Sequence, residues 1–208
     1  MSPNTKKISL NGAAGAIEVA IDMPAATPHG VAVIAHPHPL FAGTMDNKVV
    51  TTLARAAIAC SLVAVRFNFR GVGASNGSFD QGLGEAADCL QICQWAFAQY
   101  PGLRALAGFS FGAFVAAQTH QQLQAINPVE KLLLFGTATS RFCVPNVPLD
   151  TLVVHGESDD VVPLASVLDW ARPSGLPVTI LPGASHFFDR RLSTVKQLAS
   201  RHLLAPNS

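Results

Sequence analysis

Short apolar runs alternate with amphipathic stretches along nearly the whole chain. Runs at residues 7–10, 16–22, 31–36, 62–68, 103–109, 131–137, 152–155 and 178–181 have the length and the β-branched content of strands. Apolar residues at helical spacing occupy 47–61, 85–100, 111–126, 163–171 and 192–204, with Asp46 the expected N-cap of the first helix. Strand and helix patterns that alternate in this way, with continuously apolar strands, predict a mostly parallel sheet covered on both faces. The first two strands are expected to pair antiparallel. Crossovers in such a sheet bring the C-terminal ends of the parallel strands to one edge, where ligands bind.

Five polar clusters follow strand runs and therefore converge on that edge. They are His36-Pro37-His38-Pro39, Asn68 to Ser75, Ser110, Glu157-Ser158-Asp159-Asp160, and Ser185-His186. The polar, glycine-rich stretch 70–84 reads as a surface loop beside them.

Gly108-Phe109-Ser110-Phe111-Gly112 lies where an apolar run hands over to a helical pattern. A strand turning abruptly into a helix strains its corner residue, and small residues two places to either side let neighbouring backbone pass close by. Ser110 occupies the corner, facing the strand's C-terminal edge, beside the first free N–H groups of the helix. The string alone is weak evidence, since a serine there also suits a plain helix cap. Its meaning depends on finding a base and an acid.

A serine hydroxyl needs a base within hydrogen-bond reach, and an imidazole base needs an acid to fix its tautomer. His186, in a short loop after the last strand and beside two phenylalanines, is the expected base. Asp159, in the turn after the run that ends near His155, is the expected acid, with Asp160 as the alternative and a potential helix cap. His155 is expected to end its strand and support that turn. His120 and His202 lack such placement and are expected to be solvated.

Composition narrows the setting. The 208 residues are 49% hydrophobic and 13% charged, which predicts a single compact domain over 1–208. A net charge of +1 with no basic run leaves no footprint for nucleic acid or an anionic membrane. No uninterrupted apolar stretch is long enough to cross a bilayer, and Asn11 and Glu18 break up the start where a secretory signal would lie. A soluble, cytoplasmic protein without membrane insertion is expected. Cys60, Cys89, Cys93 and Cys143 form no C-x-x-C pair and are expected to be reduced core thiols, the i,i+4 pair Cys89 and Cys93 included.

With these residues in hand, the chain resembles the α/β-hydrolase superfamily, and in particular small lidless bacterial serine hydrolases related to dienelactone hydrolases. The resemblance rests on AHPHPLFAGTMDNKVV, RFNFRGVGASNG, AGFSFGA, VVHGESDDVVP and PGASHFF, which occur in family order over nearly the whole chain. It implies a three-layer fold with a mainly parallel sheet of about eight strands, no cap domain, no cofactor, and a Ser-His-Asp triad carried by Ser110, His186 and Asp159. Dienelactone hydrolases proper use a cysteine nucleophile, so their substrate does not transfer.

Many relatives carry His-Gly after the third strand, where this chain has His36-Pro37-His38-Pro39. Proline has no N–H, so neither Pro37 nor Pro39 can donate to an oxyanion, which leaves His38, Leu40 or Phe41; by position the oxyanion hole is assigned to the main-chain N–H groups of Phe111 and His38. A rival reading makes His36 and His38 metal ligands, but no further ligand cluster accompanies them, so no metal is assigned. Arg70 is expected to brace the loop it opens. The short connection at 137–151, where capped relatives insert their lid, predicts a site open to solvent or covered only by a second copy in a homodimer. The expected activity is hydrolysis of an ester or thioester of a small-molecule acyl substrate. The alternatives are a peptidase or amidase using the same triad, or a binding protein that retains the hydrolase shape without turnover.

Overall fold

The computed structural model describes residues 5–206. Its strands are β1 (Thr5–Gly12), β2 (Gly15–Asp22), β3 (Gly30–Ala35), β4 (Val63–Phe67), β5 (Leu103–Phe109), β6 (Lys131–Phe135), β7 (Leu152–Gly156) and β8 (Val178–Leu181). The helices are α1 (Lys48–Ala59), α2 (Leu83–Gln99), α3 (Phe111–Leu123), α4 (Leu164–Ala171) and α5 (Leu192–Leu204). The strands form one eight-stranded sheet in the order β1-β2-β4-β3-β5-β6-β7-β8. β2 runs against both of its neighbours, and every pairing from β4 through β8 is parallel.

Alternation along the central strands divides the interior into two layers. Val31, Val33, Leu106, Leu132, Leu134 and Val153 face the core beneath α2, α3 and α4. Ala32, Ile34, Phe109, Leu133, Phe135 and Val154 face the core beneath α1 and α5. Strands apolar on both sides are what a doubly covered parallel sheet requires. β1 alternates half-buried with exposed residues instead, as befits an edge strand.

Three strands end earlier than their apolar runs suggest, because His36, Asn68 and Thr137 leave the ladder to begin site loops. β1 is longer than expected, since its polar ends pair with β2 although they carry no apolar signal. Asp46 does not cap α1. Asn47 does, its Oδ1 accepting from Val49 N–H at 2.9 Å, while Asp46 pairs with Arg66 at 2.8 Å. α2 begins at Leu83, because buried Glu85 reaches back to accept from the N–H groups of Gly82 (2.8 Å) and Asp80 (2.9 Å).

His120 is buried rather than solvated, accepting from Gln124 Nε2 at 2.8 Å, and His202 is half-buried with its Nε2 inaccessible to solvent. All four cysteines are free, but Cys143 is exposed and only the other three lie in the interior.

Leaving β3 and β5, the chain turns toward opposite flanks of the sheet and crosses opposite faces, through α1 and α3 respectively. A crevice opens at such a switch point. α3 enters it against the end of β3, where a Cβ on Gly112 would collide with the carbonyl oxygens of Ala35 and His36. A Cβ on Gly108 would in turn collide with the Gly112 carbonyl. Gly112→Ala should therefore cost about 1–3 kcal/mol of stability through forced backbone displacement. Urea unfolding tests this, and a variant midpoint equal to that of the wild type would mean the close approach is not required.

Candidate active site

Ser110 sits between β5 and α3 at φ 58° and ψ −117°, a region L-residues rarely adopt. Its N–H donates to the Phe135 carbonyl at 2.8 Å, which ties the corner to β6. The side chain is almost buried, and its Oγ lies 3.0 Å from His186 Nε2. His186 Nδ1 in turn lies 2.7 Å from Asp159 Oδ2. The structure thus brings together the three residues expected from sequence, in one unbroken hydrogen-bonded line.

Two loops fix the far end of that line. Glu157 N–H donates to Leu181 O (3.1 Å) and Ser158 N–H to Ala184 O (3.0 Å), which zips the turn after β7 to the loop after β8. Glu157 Oε2 accepts from Gly183 N–H at 2.8 Å. Asp159 Oδ1 accepts from the N–H groups of Val161 (2.9 Å) and Val162 (2.7 Å), leaving Oδ2 for His186. Burial pushes the Asp159 carboxyl up, but the His186 hydrogen bond and these N–H donors outweigh it and hold the group below its ordinary value. Asp160 is exposed and caps nothing, since Pro163 occupies the N-cap of α4.

His155, buried on β7, supports the acid turn as expected. Its Nε2 donates to Val162 O at 2.9 Å and stands 3.4 Å from Asp159 Oδ2. The His186 ring is held by Phe109 (5.0 Å between centroids) and by the edge of Phe187 (5.2 Å). Gly136, at φ 55°, leaves room beside it: a Cβ there would come within 3.3 Å of His186 Cε1. Gly136 was not singled out as touching the site from sequence, although a glycine directly after an apolar strand was a readable signal for it.

On the other side of Ser110, the segment after β3 turns through a short 3-10 helix at Pro39–Phe41. His36 Nδ1 donates to Pro37 O at 2.6 Å and its Nε2 accepts from Phe69 N–H at 2.9 Å. Both ring nitrogens are thereby occupied. His38 Nδ1 accepts from Leu40 N–H at 3.2 Å, and its ring packs among Phe41, Phe79 and Phe111. The two histidines thus have separate protein partners, unlike a shared ligand pair. Among the described residues, the N–H groups of His38 and Phe111 donate to no carbonyl.

Arg70 braces its loop as expected, gripping Asp88 with Nε and Nη2, each at 2.9 Å. Ser110, His186, His38 and Phe111 share the wall of a cavity of about 450 Å³ with Phe41, Ala138, Arg141, Phe142, Val161 and Phe187. Ala138, Arg141 and Phe142 come from the β6–β7 connection, which the sequence reading treated only as a short stretch without a lid. A second cleft, of about 500 Å³ beside α1, holds Asp22, Asp46 and Arg66 and lacks the serine and histidine.

The chain is 34% identical to a lidless α/β serine hydrolase from Xanthomonas campestris, with a TM-score of 0.87 over 98% of this chain and 95% of that one. The chain belongs to the α/β serine hydrolases without a lid. An α/β serine hydrolase homologue from Coxiella burnetii is 36% identical with a TM-score of 0.82, covering 96% of this chain and 97% of its own. An uncharacterized protein of Rickettsia prowazekii is 28% identical, covering 97% of this chain and 90% of the relative. No protein-family model matches the chain. Membership among the serine hydrolases makes this protein a hydrolase, and no helix among the described residues is long and apolar enough to cross a membrane.

Burial pushes His36 from its ordinary 6.5 down to about 3, against the weaker opposing effect of the Pro37 carbonyl. The folded state therefore resists protonating this ring while the unfolded chain accepts a proton. Stability from this source is intact above pH 6.5 and is lost as pH falls from there toward about 3. His36→Gln should be less stable at pH 8 yet lose less further stability on acidification. Equal acid slopes for the two proteins in denaturant unfolding would contradict this account.

Proposed function

We propose that this hydrolase cleaves carboxylic esters or thioesters of small acyl substrates through an acyl-enzyme on Ser110. The observation that carries the proposal is the continuous line from Ser110 Oγ through His186 to Asp159, 3.0 and 2.7 Å long at its two links, opening onto a largely apolar cavity. His186 Nε2 takes the Ser110 proton as Oγ attacks the acyl carbon, and the N–H groups of Phe111 and His38 receive the oxyanion. Collapse expels the alcohol or thiol, which takes its proton from His186. Water, deprotonated by the same nitrogen, then attacks the acyl-enzyme, and His186 returns that proton to Ser110 Oγ as the acid is released. Asp159 keeps the proton on Nδ1, so that Nε2 stays free to act as the base, and stabilises the imidazolium when it forms. No step calls for a cofactor or metal.

Covalent labelling by a fluorophosphonate, read by intact mass, tests the nucleophile without knowledge of the substrate. We expect stoichiometric labelling of the wild type and none of Ser110→Ala. With a chromogenic ester, Ser110→Ala and His186→Ala should each lose turnover by on the order of 10⁴-fold or more, and Asp159→Asn by a comparable or smaller factor. Near-wild-type turnover by Ser110→Ala would refute the assignment. Failure of the wild type to label would favour a binding protein of hydrolase shape. An amide and an ester of the same acyl group separate this reading from a peptidase, with the ester expected to be the faster substrate.

A further inference from the structure

We infer that Arg141 selects substrates that carry an anionic group, held at the mouth of the Ser110 cavity; this inference rests on the ester hydrolase reading above. Among the residues that line the cavity, Arg141 is the only one whose side chain carries a full charge, and no aspartate or glutamate lines it. Among the described residues no carboxylate lies within ion-pair distance of the Arg141 guanidinium. The exposed guanidinium lies over a ring that also lines the cavity, its central carbon 5.6 Å from the centroid of Phe41. A guanidinium lying over an aromatic face keeps its N–H fork available for a carboxylate or phosphate.

The neighbouring charges underline the contrast. Lys48, over the Phe187 ring at 5.4 Å, is already paired with Asp189. In the second cleft, Arg66 is matched by both Asp22 and Asp46. His38, the other basic group nearby, is kept toward its neutral form by burial and by Arg141 itself. The cavity is therefore left with one uncompensated positive charge at the rim of a largely apolar wall. Such a site fits an amphipathic ester, its apolar part packed against Phe111 and Phe142 and its anion on Arg141. The anion can sit on the acyl side or on the alcohol side, and the test distinguishes the two.

The first substrate pair is the mono-para-nitrophenyl ester of adipic acid against para-nitrophenyl heptanoate, which places the charge on the acyl side. The second is meta-carboxyphenyl butyrate against meta-carbamoylphenyl butyrate, which places it on the leaving group. In at least one pair, wild-type kcat/KM should favour the anionic member by about fivefold or more, the scale of an exposed ion pair. The preference should lie in KM, because the pairing is made equally before and during the chemistry. It should shrink with added salt, collapse toward unity in Arg141→Gln and partly survive in Arg141→Lys, while Arg201→Gln, on the exposed end of α5, should keep the wild-type ratio.

Equal handling of both pairs by the wild type, or a preference that persists in Arg141→Gln, would overturn the inference while leaving the hydrolase reading intact. Calorimetric binding of phenylbutyrate against phenylbutanol, in wild type and Arg141→Gln, reads the anion preference without turnover. Binding that depends on Arg141, with no hydrolysis of any ester, would sink the ester reading and keep the anion site.

Discussion

The conformation of Ser110 is the constraint on which the site depends. A left-handed backbone at a non-glycine residue costs on the order of 1–3 kcal/mol and persists only where its surroundings over-determine it. Here they do so from three sides. Parallel pairing of Ala35 with Gly108 and of Phe109 with Phe135 seats β5 between two strands whose ends lie at nearly the same height. The Ser110 N–H completes the β5–β6 ladder on the Phe135 carbonyl, so the corner residue is still tied to the sheet on its N-terminal side. Finally, α3 can start immediately at Phe111 because Gly112 allows it to lie against the end of β3. The strain is thus carried by the sheet, and the free N–H groups at the start of α3 are a by-product of the same turn.

Around that corner, polar side chains tie the loops to one another and to the sheet. Asn68 accepts from Met45 N–H at 2.9 Å and donates to Glu18 Oε2 at 2.7 Å, joining the segments after β3 and β4 to β2. Glu18 also accepts from Ala74 N–H at 3.0 Å, and that donor, ahead of Lys7, holds its carboxyl below the ordinary range. His36 adds the link to Phe69, whose ring packs on Phe111 at 5.5 Å. Each of these side chains would leave an unmet partner if removed, so the loops have few alternative arrangements. A lidless site gains its definition from such bracing, since no cap closes over it.

The sheet, the helices and the line of Ser110, His186 and Asp159 were legible because each has a periodic or positional signature. Strand ends were less so: His36, Asn68 and Thr137 continue an apolar run on paper but are polar groups that turn out of the ladder. Asp46 and Asn47 are equally good caps by type, and only the buried Arg66, which claims Asp46, separates them. Asp159 and Asp160 are likewise adjacent and identical in chemistry, and the turn alone decides which faces the imidazole. The cavity wall was the least legible part. Arg141 and Phe142 reach it through an irregular connection, where no periodicity indicates which side chains point inward.

The burial of Asp159 sharpens the electrostatic logic of the proposed reaction. A carboxylate taken out of water ordinarily prefers to be neutral, and it would then orient His186 without stabilising charge on it. Two main-chain donors on Oδ1 and the imidazole on Oδ2 reverse that preference before any substrate arrives. His155 Nε2, 3.4 Å from Oδ2, adds a further dipole on the same side. When the Ser110 proton moves to His186, the new positive charge therefore meets an existing negative one, and the negative charge that develops on the substrate oxygen meets fixed N–H groups. Charge is redistributed among groups already in place, so little reorganisation remains for the chemical step to drive.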